Sequence, residues 1–139
     1  MNYLITAAGL GSRFLKESIK PPKPLIKVKG IELLIWSLKS FDFKLKDNLY
    51  IVTLKKDKVK KLLLKKINLI YPQINISWLE LDEYLNGQLL TSLNAINFFK
   101  IKGEILIHNC DTSYKLQYEN IKNIFKKNVF GIIPYFNSE

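Results

Sequence analysis

Residues 5–30 read ITAAGLGSRFLKESIKPPKPLIKVKG and hold the densest concentration of chemistry in the chain. An apolar run ends in Ala7 and Ala8; Gly9 and Gly11 follow, and Arg13 stands two positions on. Glycine has no Cβ to hold a ligand away from the backbone, so such a turn can lay N–H groups against phosphate oxygens. Arg13 is the sole arginine, and its planar, permanently charged fork can grip two oxygens at once. Lys23 sits between Pro22 and Pro24. The prolines restrict the backbone around it, so less freedom is lost when its ammonium docks on an anion. Together these groups suit a triphosphate whose charge must be neutralised while one phosphorus is attacked. Two common glycine motifs are absent. A dinucleotide fingerprint needs a third glycine where Phe14 stands, and a Walker loop needs a Gly-Lys step followed by Ser or Thr.

These groups need a scaffold, and strand-like and helix-like segments alternate with little filler. Residues 3–7 form a short apolar run feeding the glycine turn, which reads as a buried strand followed by a long loop over 8–24. Residues 32–40 carry a helical apolar stripe, and 48–54 (NLYIVTL) are β-branched and aromatic, hence a strand. Over 56–70 a lysine-rich helix is expected, with Val59, Leu62, Leu63, Ile67 and Ile70 inward and the lysines mainly on its wet side. A strand over 74–81, a helix over 87–99, a strand over 104–108, a helix over 116–126 and a strand from 129 to 134 complete the series. The expected fold is α/β: a doubly wound, mainly parallel sheet flanked by helices, formed by residues 1–139 as one domain. Such sheets bind ligands at the carboxyl ends of strands, near the switch in strand order. The glycine loop, the turn near Gly87 and the NCD step (109–111) all fall at such ends.

The bulk numbers agree with an ordinary globular chain of one core: 47% apolar and 24% charged residues over 139 positions. No apolar run is long enough for a membrane span, and the N-terminus lacks the basic and apolar regions of a secretory signal. The single Cys110 can form no internal disulfide, which fits a cytoplasmic location. A net charge of +10 raises a nucleic-acid reading. Nearly all of the excess is lysine on helix surfaces, so the expectation is no nucleic acid and no membrane, with a positive field that attracts small phosphates. Cys110 and His108 read as packed, not reactive, and Trp36, Trp78, Phe98 and Phe99 as core.

AAGLGSRF followed after a spacer by PPKPLIKVKGIELL closely resembles the N-terminal signature of the sugar-phosphate nucleotidyltransferases, the nucleotide-sugar pyrophosphorylases. Their pattern is an apolar strand, A-A/G-G-x-G-x-R, a variable spacer, P-K-P, then a strand and a helix. LNGQLLTSLNAI (85–96) resembles the family's nucleobase-side turn, and GEILIHNCDTSY (103–114) its strand ending in a metal-binding aspartate. The likeness spans essentially the whole chain and implies a Rossmann-like nucleotidyltransferase fold. It implies that Ala8, Gly9 and Gly11 pack against base, ribose and phosphates, that Arg13 holds the triphosphate and the leaving pyrophosphate, and that Lys23 contacts the reacting phosphates. Gly87 and Gln88 would lie against the base, and Asp111 would hold Mg²⁺ between the phosphates. Gln88 reads equally as a helix-start residue, and Asp111, read mainly as a metal ligand, could also be a turn or helix cap.

The implied reaction needs no protein nucleophile: an acceptor phosphate attacks the α-phosphorus in line, and pyrophosphate departs. The implied partners are an NTP, with a lean towards CTP, UTP or dTTP, and a phosphorylated sugar or similar small phosphate, in the service of surface-polysaccharide synthesis. The family pattern continues into an acceptor-binding part with a second aspartate, and no Asp follows Asp111 here. That leaves a transferase fragment, a partner chain supplying the rest through the exposed sheet edge, or a nucleotide-binding module without turnover. A basic nucleic-acid binder is the third reading.

Overall fold

The computed structural model describes residues 1–113 and 131–133. The helix expected over 116–126 lies outside them, as do residues 129, 130 and 134 of the strand expected over 129–134; residues 131–133 are described and form no strand. In chain order the elements are β1 (Asn2–Ala7), α1 (Ser12–Lys16), the two-residue strands β2 (Lys27–Val28) and β3 (Ile31–Glu32), α2 (Leu33–Leu38), β4 (Asn48–Leu54), α3 (Lys60–Ile70), β5 (Asn75–Leu81), α4 (Gln88–Phe99) and β6 (Ile105–Asn109).

Strands β5, β4, β1 and β6 form one sheet in that order, every pair parallel. The chain moves outward from β1 to β4 and β5, then returns through α4 to place β6 on the other side of β1. The strand order therefore reverses between β1 and β6, and a crevice opens there at the carboxyl ends of the strands. Parallel strands covered on both faces must be apolar on both. Accordingly, Tyr3, Ile5, Leu49 and Ile51 pack under Leu34, Ile35 and Leu38 of α2 and Leu63 and Ile67 of α3. Leu4, Val52 and Leu54 pack with Ala95 of α4 on the opposite face. Leu4, Ile5, Leu49 and Ile51 are wholly enclosed, and each contributes about 1.5–3 kcal/mol by leaving water.

An asparagine ladder marks the other end of the sheet. Asn48 donates to Asn2 at 3.1 Å and Asn75 to Asn48 at 3.3 Å, while Asn2 donates to the carbonyls of Lys102 and Glu104. These are the residues paired in register at the starts of β1, β4 and β5. A one-residue slip would both break the ladder and turn apolar side chains to the wrong face.

Several expected boundaries move. The loop over 8–24 contains the short helix α1, and a 3-10 turn spans Lys23–Leu25. The long helix starts at Lys60, not at 56, because Lys55–Asp57 form a 3-10 turn and Lys58 is left-handed at φ 52°. Val59, Leu63 and Ile67 form its buried stripe, whereas Leu62, on the flank, and Ile70, at the last helical position, are exposed. Of the four large aromatics expected in the core, Trp78 and Phe99 pack against it, partly buried, whereas Trp36 and Phe98 do not. Trp36 and Trp78 are half-buried with their indole N–H groups donated to the Val28 carbonyl and to Thr53 Oγ1. Phe98 is exposed, whereas Phe99 packs on Tyr50 with ring centres 5.0 Å apart. Successive residues on α4 cannot both face the sheet.

Candidate functional site

The crevice at the switch point holds a cavity of about 130 Å³. Ala8 and Gly9, just past β1, form one wall with Lys23; Gly87, Gln88 and Thr91 at the start of α4 form another; Asn109 and Cys110 close it from β6, and Thr6 and Tyr84 also line it. Ligand pockets typically run to about 300–1,000 Å³, so a whole nucleotide would extend from this cavity into the open crevice.

Local structure explains each wall. A Cβ built on Gly9 meets nothing within 4 Å, so the backbone there faces open space that a side chain would fill. Gly11 is left-handed at φ 63°, and a Cβ there would stand 3.4 Å from Lys23 Cβ. Glycine thus both makes the turn and brings the loop onto Lys23. At α4, Gly87 takes φ 97°, and no side chain caps the helix. Thr91 Oγ1 donates to the Gly87 carbonyl at 3.0 Å and Ser92 Oγ to that of Gln88 at 2.8 Å, which ties the first turn together. The amide hydrogens of that turn are left for a ligand or water. Gln88 Nε2 donates to Thr6 Oγ1 at 3.1 Å, and Thr6 Oγ1 donates to the His108 carbonyl at 3.2 Å. That orientation leaves the Gln88 side-chain carbonyl as the acceptor for a ligand's N–H.

On the other side of the mouth, Lys23 Nζ lies 2.7 Å from Asp111 Oδ2, each side chain a quarter exposed or less. Cys110 behind them is buried and its thiol is pushed up to about 12, chiefly by burial, with the Lys23 charge opposing. Burial thus keeps the thiol protonated at neutral pH, which disfavours a role as thiolate nucleophile. His108 is also buried; burial lowers its pKa, against the Thr112 carbonyl and the Asp111 charge. Its Nε2 lies 2.9 Å from the Thr112 carbonyl, so that nitrogen must carry a proton and donate it. Among the described residues no cluster of three or more His, Cys, Asp or Glu side chains exists that could hold a metal alone. One partly exposed carboxylate does fit Mg²⁺ arriving with phosphates, since Mg²⁺ takes one or two carboxylates plus phosphate oxygens and water.

Of the eight residues singled out in the sequence, Ala8, Gly9, Lys23, Gly87 and Gln88 line the cavity. Asp111 joins them through Lys23, and Gly11 abuts Lys23 from the loop. Arg13 stands apart. It lies exposed in α1, outside the cavity wall, with no ion pair among the described residues. Thr6, Tyr84, Thr91 and Asn109 were not anticipated. They are common residue types in strands, turns and helices, and only the β1–β6 register and the packing of α4 bring them to one place.

No protein-family model matches the chain, and no curated protein sequence matches it. Solved structures do. A nucleoside-diphosphate-sugar pyrophosphorylase from Vibrio cholerae RC9 superposes with TM-score 0.63 at 18% identity, over 83% of this chain and 49% of that one. A candidate glucose-1-phosphate thymidylyltransferase from Bacillus anthracis, in complex with sucrose, gives TM-score 0.65 at 19% identity over 91% and 50%. A nucleotidyl transferase from Methanothermobacter gives TM-score 0.54 at 18% identity over 79% and 50%. The chain spans about half the length of each. At such identities the likeness speaks for the backbone: this chain has the mainly parallel α/β fold of the nucleotidyl transferase and sugar-nucleotide pyrophosphorylase structures.

Proposed function

We propose that the crevice binds a nucleoside triphosphate with Mg²⁺ and transfers its nucleotidyl group to a phosphorylated sugar or similar small phosphate, releasing pyrophosphate. The observation that carries this reading is the pairing of Lys23 with Asp111 at the mouth of the switch-point crevice, beside the open backbone of Gly9. One cation and one anion from distant parts of the chain meet where a polyphosphate and its metal would lie. An oxygen of the acceptor phosphate attacks the α-phosphorus, the bond to the β-phosphate breaks, and the electron pair leaves on pyrophosphate. Mg²⁺, when bound, would offset the phosphate charge, with Asp111 the residue to hold it. Lys23 would exchange its carboxylate partner for phosphate oxygens, and Arg13 would reach the triphosphate from the rim. Gln88 would accept a hydrogen bond from the base. The NGQLLTSLNAI stretch at 86–96 is compatible with CTP, UTP or dTTP, and the supply of activated precursors for surface polysaccharide belongs to the same proposal.

The test is direct: the chain is incubated with Mg²⁺, each NTP and a panel of sugar phosphates, and pyrophosphate is measured. Pyrophosphate that depends on one NTP–acceptor pair supports transfer. A second reading, nucleotide binding without turnover, is favoured by the presence of a single carboxylate at the crevice among the described residues. It predicts thermal stabilisation by an NTP with no pyrophosphate for any acceptor.

A further inference from the structure

We propose that His108 is a positioning residue for Asp111, holding that carboxylate in place through the Thr112 carbonyl; the inference rests on the nucleotidyl-transfer reading above. The bond from His108 Nε2 to the Thr112 carbonyl spans four residues and closes a turn over Asn109, Cys110 and Asp111. The other end of this clamp is fixed. The His108 backbone pairs in register with Ile5 of β1, and its carbonyl accepts the Thr6 hydroxyl. Its ring meets the Phe41 ring edge-on, centres 5.0 Å apart at 83°. Cys110 plugs the turn from below, 2% exposed.

The need for such a clamp follows from Lys23. In the free protein the ammonium holds the carboxylate at 2.7 Å. Once Lys23 turns to the phosphates, that tether is released at the moment Asp111 must meet the metal. A carboxylate on an unrestrained turn would then pay in lost conformational freedom on binding. The imidazole supplies a tether that does not compete for the phosphates. Burial disfavours its charged form, against the raising effects of the Thr112 bond and the Asp111 charge. It also joins the two halves of the crevice: its carbonyl anchors the Thr6–Gln88 pair on the base side, and its ring anchors the turn on the metal side.

The experiment compares the full chain with His108→Gln and His108→Met, two side chains of similar length and shape. The amide of glutamine can donate to the Thr112 carbonyl; methionine cannot. The probe is Mn²⁺, titrated by electron paramagnetic resonance in the presence of saturating CTP, UTP or dTTP, alongside metal-free binding of the same nucleotide and thermal unfolding. His108→Met is expected to weaken Mn²⁺ binding about tenfold or more, as loss of an outer-shell partner does, while His108→Gln stays within about threefold of wild type. Metal-free nucleotide binding should be unchanged in both. Unaltered Mn²⁺ affinity in His108→Met, or an equal loss in both variants, overturns the proposal while leaving the transfer reading standing. A wild-type chain that binds no nucleotide under any condition overturns both. Should His108→Met not fold, long-range ¹H–¹⁵N correlation on the wild-type imidazole decides: the Nε2–H tautomer is expected, and an Nδ1–H tautomer rules the clamp out.

Discussion

Lys23 and Asp111 satisfy each other in the free protein, so an anion binding at the mouth, as proposed, would exchange partners and not fill an empty charge site. A partly exposed pair of this kind adds at most about 1 kcal/mol to stability. Lys23→Met should therefore barely shift the unfolding midpoint, yet it should weaken NTP binding at least about tenfold, the worth of one charge-assisted hydrogen bond. Calorimetric titration with a parallel thermal melt checks both halves. Gly9 makes the complementary case. Because a Cβ there meets no protein atom within 4 Å, Gly9→Val should leave stability within about 0.5 kcal/mol and abolish NTP binding by filling the space proposed for the phosphates. A Gly9→Val protein that binds NTP normally would remove this loop from the site. At this scale the sequence was most legible where residue types are unusual: two glycines straight after a strand, and a lysine fixed between prolines. It was least legible for Thr6 and Asn109, whose place beside the cavity comes from strand register alone.

At the scale of elements, the continuous apolar runs of β1 and β4 announce strands buried on both faces, and the sheet has that form. Short pieces were harder to read. Helix α1 has five residues with none buried, so it leaves no apolar stripe in the sequence. The β2–β3 hairpin holds two residues per strand and turns through Lys29 and Gly30, both at positive φ. That hairpin is joined to α3 by an ion pair between Glu32, 4% exposed, and Lys66. Burial alone would raise the Glu32 pKa, but the Lys66 hydrogen bond and the charges of Lys66 and Lys27 prevail and hold it below its usual 4.5. A carboxyl lowered in the folded state stabilises the fold above its unfolded pKa, and the gain is lost as pH falls through the folded value. Urea unfolding at pH 7 and pH 3 should thus show a steeper acid loss for wild type than for Glu32→Gln. At pH 7 the variant should be weaker by about 1–3 kcal/mol, the cost of a charged hydrogen bond. Equal acid sensitivity in the two proteins would contradict the pairing.

For the molecule as a whole, the switch in strand order decides where chemistry gathers. β1 has neighbours on both sides, and the return of the chain through α4 to β6 opens one crevice between its two halves. The glycine loop, the start of α4 and the end of β6 converge on that crevice although they lie far apart in sequence. The net charge of +10, almost all lysine, gives the surface a positive field that favours the approach of anions. No helix among the described residues is long and apolar enough to cross a membrane. The central claim is that the polyphosphate of an NTP lies between Gly9, Lys23 and Asp111, with the base against Gly87 and Gln88 at the start of α4. Its most direct test is a ¹H–¹⁵N titration of the labelled chain with Mg²⁺ and CTP, UTP or dTTP. The account predicts saturable shifts confined to the amides of residues 8–11, 23, 87–91 and 109–112. Saturable shifts on the lysine-rich face of α3 instead, or no shifts with any of the three, would contradict it.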